Sequence, residues 1–75
     1  MPTDTEWWRA ASLMALDNAI PHAASVGILS PTEMTDEWEA ARAARFRHDD
    51  AALMEYLMKY CPDDPHVENY PGPDA

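Results

Sequence analysis

Residues 30 to 48 read "SPTEMTDEWEAARAARFRH". Ser30 can accept a hydrogen bond from the amide three residues on, Pro31 already has the φ of a first helical turn, and Glu33 can reach back to the Ser30 amide. One four-residue run thus answers several of the orphan donors of a helix start, and a helix is predicted from Pro31 onward. Beyond that start, Met34, Trp38, Ala41 and Arg45 recur at helical spacing and make the inward stripe, with the Arg45 stem laid along the core edge. Neither this stretch nor any other alternates with the period of two that a half-buried strand needs. The fold class predicted is therefore all-α.

Upstream, "TDTEWWRAASLMALDNAI" (3–20) predicts a helix over roughly 5 to 19, with Thr3, Asp4 or Thr5 as its cap and Glu6 near the positive end of its dipole. Ten of the fourteen residues from Trp7 to Ile20 are apolar, too many for one stripe. At 100° per residue, Leu13, Leu16 and Ile20 form one line, and Trp7, Ala10, Ala11 and Met14 another, so this helix calls for cover on two sides. Pro21 removes a backbone donor and disfavours a helical Ile20, so it is expected to end or kink the helix. The following "HAASVGIL" then adds a turn or two before Gly27 stops it.

Downstream, "HDDAALMEYLMKY" (48–60) predicts a third helix over roughly 50 to 60. Asp49 or Asp50 caps it, Leu53, Tyr56, Leu57 and Tyr60 share a face with Met54, Met58 and Cys61 beside it, and Glu55 and Lys59 pair at i,i+4. Pro62 stops it. The remainder, "CPDDPHVENYPGPDA", holds four of the seven prolines and no periodicity. It is expected to be extended or disordered except where Val67 or Tyr70 packs back. The organisation predicted is a helical domain over 1–61 and an acidic, proline-rich tail over 62–75. The domain is a three-helix bundle, or four helices if the segment after Pro21 forms a short one of its own.

A 75-residue chain holds one core and a thin margin of stability, which small domains often supplement with disulfides, a metal or a second subunit. The single cysteine, Cys61, rules out an internal disulfide, and a lone thiol suits a reducing compartment, so a cytoplasmic location is expected. No stretch approaches the ~20 apolar residues of a membrane span, and "MPTDTEWW" is acidic where a signal peptide would be basic. Fourteen acids against five bases give a net charge of -9. That field repels polyphosphate and anionic lipid, which disfavours direct nucleic-acid or membrane binding, and speeds encounter with basic protein surfaces.

The charge is unevenly placed. Residues 1 to 41 carry seven acids and Arg9, residues 42 to 48 carry Arg42, Arg45 and Arg47, and residues 49 to 75 carry seven acids and Lys59. Arginines in the last turns of the second helix and Asp36, Glu37 and Glu39 in its first half follow the helix dipole. Glu39 can meet Arg42, and Arg42 can lie across Trp38 or Phe46. The cluster serves as a charged helix end, as bridges to acids elsewhere in the chain, or as a contact patch, and the sequence leaves these open.

Reactive chemistry finds little support. His22, His48 and His66 are far apart and lack the i,i+4 or paired-cysteine spacing of metal sites. Cys61 and His66 are separated by two prolines with no orienting third group, and Asp63 and Asp64 offer too few oxygens for a calcium loop. With two glycines there is no phosphate-cradling loop. No catalytic residue, metal ligand or cofactor is named, and the chain is expected not to be an enzyme.

The tryptophans carry more. Trp7 and Trp8 point about 100° apart on a helix, so both cannot face one small core, and one is expected to meet a partner. Trp8, with the Met14, Met54 and Met58 set, is the candidate anchor. The candidate acids are Glu33, Asp36, Glu37 and Glu39 of the second helix and Asp49, Asp50 and Glu55 of the third helix region, set where nucleic-acid phosphates would otherwise lie against a basic protein.

In size, charge and helical pattern, carried by segments such as "GILSPTEMTDEWEAARAAR", the chain resembles the small acidic proteins of bacteriophages and mobile elements, among them anti-CRISPR inhibitors and other nucleic-acid mimics. The resemblance implies a non-enzymatic inhibitor or modulator of a basic, nucleic-acid-binding protein in the host cytoplasm. It rests on no diagnostic motif, so no residue's role is carried over from it. The alternative expectation is a homo-oligomeric adaptor in which the apolar first helix pairs with its copy.

Overall fold

The computed structural model describes residues 3–73 and among them shows three α-helices, α1 (Asp4–Ser25), α2 (Pro31–Phe46) and α3 (Asp50–Tyr60), followed by one 3-10 turn (Pro65–Val67), with no strand. The all-helical expectation holds.

Each start is capped as its sequence dictates. Thr3 Oγ1 accepts from the Glu6 amide at 3.1 Å at the head of α1. At α2 the exchange is reciprocal: the Glu33 amide donates to Ser30 Oγ at 3.1 Å and the Ser30 amide donates to Glu33 Oε1 at 2.9 Å. Asp49 Oδ1 accepts from the Ala52 amide at 3.1 Å and opens α3.

The stops are equally local. Gly27, at φ +84°, lets the Ile28 amide return to the Ala23 carbonyl (2.9 Å) and the Gly27 amide to Ala24 (3.1 Å), the paired closure of a left-handed helix end. His48 does the same for α2 at φ +59°, with the Asp49 amide on the Ala44 carbonyl (2.8 Å) and the His48 amide on Arg45 (3.1 Å). A histidine there carries steric strain that a glycine would not.

Of the two outcomes expected at Pro21, an end or a kink, the structure excludes the end. α1 runs unbroken from Asp4 to Ser25 with Pro21 inside it, and there is no separate short helix after it. Ile20 and Ala23, on either side of the proline, are both buried, and Leu29 just beyond joins the same core. Holding helical geometry through the proline keeps that apolar line on the core, while the Pro21 ring points outward. Burial across the site outweighs one lost hydrogen bond.

Leu13, Leu16, Ile20 and Ala23 of α1 meet Ala41 and Ala44 of α2 and Leu53 and Leu57 of α3. Met34 and Trp38 flank this core half-buried, and Arg45 lies at its edge. The two alanines let α2 lie close on α1. The second apolar line of α1 stays outside: Trp7 and Met14 are 66% and 68% exposed. The second cover of α1 is only partial: Ala10 and Ala11, between those two, are half-buried.

Candidate functional site

The tail lies on the bundle and decides which tryptophan is free. Trp8 Nε1 donates to the His66 carbonyl at 2.8 Å, and the Tyr70 ring meets the Trp8 ring edge-on at 4.7 Å between centroids. Thr5 Oγ1 donates to the Gly72 carbonyl at 2.6 Å, and Val67 packs half-buried against the core. Trp8 is only 4% exposed. The expectation that Trp8 anchors a partner is corrected on this ground: its indole N–H and ring are already engaged by the tail. Trp7 takes the outward position instead.

A polar cluster sits beneath the same strap. Arg9, 3% exposed, grips Asp50 with two bonds, Nε to Oδ1 at 2.6 Å and Nη2 to Oδ2 at 3.1 Å, and its Nη1 donates to Glu6 Oε1 at 2.5 Å. Tyr70 OH donates to Asp50 Oδ2 at 2.7 Å, and His48 Nε2 stands 3.1 Å from Glu6 Oε1. A buried guanidinium needs this many acceptors, because an unpaired charge in the interior costs several kcal/mol. Asp50 is therefore withdrawn from the acidic contact set, its carboxylate facing inward to tie α3 to α1. Asp49 is half-committed too, capping α3 and pairing with Arg47 at 3.2 Å.

The acids of α2 form a surface. Glu33, Asp36 and Glu37 line, with Ala40, a shallow open hollow of about 350 Å³. The Ser30 amide and hydroxyl hold the Glu33 carboxyl below its ordinary pKa, so it stays charged into mild acid. Glu37 pairs with Lys59 at 3.2 Å beside Tyr56 and Tyr60. Burial, and then the Glu37 charge, pushes the Tyr56 phenol up, while Tyr60 and then Glu37 raise the Lys59 ammonium. Asp36 is exposed on the rim. Glu39 is exposed on another flank of α2, and Glu55 on the outer face of α3, so neither joins the hollow.

On the α1 side, α2 presents cations and aromatics. The Arg42 guanidinium lies over the Trp38 ring at 4.6 Å and Arg45 over Phe46 at 5.3 Å, while Trp38 Nε1 donates to Asp17 Oδ1 at 2.5 Å. Arg42 and Arg45 pair with no carboxylate among the described residues. Met34, Thr35 and Trp38 with Asp17 and Pro21 shape a hollow of about 440 Å³ at the α1–α2 seam. Nearer the start of α1, Glu6, Trp7, Ala10 and Arg45 shape a smaller one of about 200 Å³.

Among the described residues no three His, Cys, Asp or Glu side chains stand together as a metal cluster would. Burial, then the Asp64 carboxylate, pushes the Cys61 thiol up, which keeps it protonated and a poor nucleophile. No helix among the described residues is long and apolar enough to cross a membrane. Arg9 escaped the sequence reading, yet it is the only base in the first 41 residues, amid seven acids. A lone base in such company was the available signal. The chain matches no family model, and comparison with curated proteins and with solved structures finds no similar protein, so its own residues carry the functional reading.

Proposed function

We propose that this protein is a non-enzymatic binding module that docks its acidic α2 flank on a basic protein surface and so blocks or modulates it, in the manner of nucleic-acid-mimicking inhibitors. The observation that carries the reading is the hollow lined by Glu33, Asp36 and Glu37, set in a chain of net charge -9. Carboxylates presented from one rigid helix steer a cationic partner over several ångströms and fix its register on contact. Glu33 contributes charge without moving, since the cap locks it. Among the described residues Asp36 is the hollow's acid free to engage, while Glu39 adds charge from the adjoining flank of α2 and Glu55 extends the negative field across α3.

The test is binding to a panel of purified basic DNA-binding proteins at low and high salt, with the Asp36→Lys, Glu39→Lys double variant as comparison. Association with at least one of them is expected to slow as salt rises, and the double reversal is expected to slow it by about tenfold or more with the melting temperature nearly unchanged. Equal association by both proteins, or preference for polynucleotide over every basic protein, would remove the reading.

A further inference from the structure

α1 keeps Trp7 and Met14 exposed on one apolar face, with Ala10 and Ala11 half-buried between them, Ala10 beside Arg45 and Ala11 beside His66, Asn69 and Pro71 of the tail. That face has internal symmetry. Trp7 and Met14, 66% and 68% exposed, stand two turns apart, about 10 Å along the axis, with Ala10 and Ala11 between them. Large, small, small, large, at separations of three, one and three residues, reads the same in both directions about the midpoint of Ala10 and Ala11. A two-fold contact requires a surface that complements itself when reversed. We propose that this face pairs with a second copy of the chain, α1 lying antiparallel on α1, with Trp7 of each copy against Met14 of the other and the alanines at the crossing. The proposal is independent of the acidic flank of α2, which this contact leaves free.

Three observations favour a second copy in this orientation. The alanines offer no side chain beyond Cβ, so two helices can approach closely there and drop the flanking Trp and Met into the gaps. A parallel pairing would set Asp4 and Glu6 beside their own equivalents with the helix dipoles aligned, whereas the antiparallel one opposes the dipoles.

Charge supplies the third. Arg45 shares the hollow of Glu6, Trp7 and Ala10, and Asp17 lies on the same α2-facing side of α1, bonded to Trp38. Reversal about the alanine midpoint carries Asp17 of the second copy to the level of the first turn of α1, within about one turn of Arg45. Arg42 similarly comes toward Glu6 of the second copy. Arg42 and Arg45, which pair with no carboxylate of their own chain among the described residues, thereby gain acidic neighbours. This gives the arginine cluster a use that the helix dipole alone does not. In area, the exposed parts of two Trp7 and two Met14 side chains supply on the order of 500 Å², and the adjoining flanks of α1 and α2 extend it toward the ~1,000 Å² of a specific, weak interface.

The experiment is sedimentation equilibrium of the full chain up to about 1 mM, beside Ala11→Glu, which keeps a good helix former but places a charge at the crossing. The wild type is expected to reach twice the chain mass, and Ala11→Glu to weaken the dimer by about tenfold or more with unchanged helical circular dichroism. Orientation is read by mixing Trp7→Cys and Met14→Cys chains, each also carrying Cys61→Ser, under mild oxidation. Disulfides joining position 7 to position 14 are expected to dominate. A wild type that stays monomeric throughout, an Ala11→Glu chain that dimerises as tightly as wild type, or cross-links mainly between equivalent positions would each overturn the proposal. None of these outcomes bears on the α2 acids, whose binding to basic proteins is measured separately.

Discussion

Ser30 and Glu33 exchange hydrogen bonds at the head of α2, and the exchange ties this helix end to pH. The bonded carboxyl titrates below its unfolded value, so its contribution is fully present above the unfolded pKa and is lost as pH falls through the folded one. Ser30→Ala removes the hydroxyl arm and is expected to cost about 1 kcal/mol by thermal melting at neutral pH. Glu33→Gln is expected to melt below wild type at pH 7 and level with it near pH 2, where Glu33 itself is neutral. A constant gap between the two across that range would show that the carboxylate plays no part in the cap. These residues were legible because their partners lie three positions away. Arg9 was not, because its two-pronged partner Asp50 lies 41 residues on and nothing local announces it. Trp7 and Trp8 were half-legible: helical geometry required that they diverge, but the choice between them fell to the tail.

The elements follow their punctuation except at one proline. Ser30, Asp49 and Gly27 set boundaries to within a residue because capping is short-range chemistry. Pro21 does not end α1 because its penalty is local while the gain that offsets it, the burial of Ala23 and Leu29 on the same core as Ile20, is set by neighbours far along the chain. That balance can be measured. Pro21→Ala restores a backbone donor opposite the Asp17 carbonyl and removes the ring from the interior of α1. It is expected to stabilise the fold by about 1 to 3 kcal/mol, less whatever packing the ring gives the Met34–Trp38 hollow. A fall in denaturation midpoint would mean instead that the proline is held by contact with α2 and not merely tolerated.

Across the whole molecule, the tail joins what the helices leave open. Without it the head of α1 would present Trp8 to water and Asp50 would lose a donor. Tyr70 does both jobs, its ring edge-on to Trp8 and its hydroxyl on the carboxylate that Arg9 holds. The sequence marked Val67 and Tyr70 as the tail residues able to pack back, but without periodicity it could not name their partners, since a strap docks by single residues. The two jobs separate by substitution. Tyr70→Phe removes only the hydroxyl and is expected to cost about 1 to 2 kcal/mol, the usual worth of a hydrogen bond to a charged group at a partly wet site. Tyr70→Ala also removes the ring contact and is expected to cost roughly 1 to 2 kcal/mol more. Denaturant titration reads both, and in chains where Trp7 and Trp38 are replaced by Phe the remaining emission reports Trp8 alone. Tyr70→Ala is then expected to shift that emission to the red while Tyr70→Phe leaves it in place. A Trp8 that stays blue in both would mean that the His66 carbonyl and the body of the bundle seclude the indole without the strap, and that the tail contributes to stability through Asp50 only.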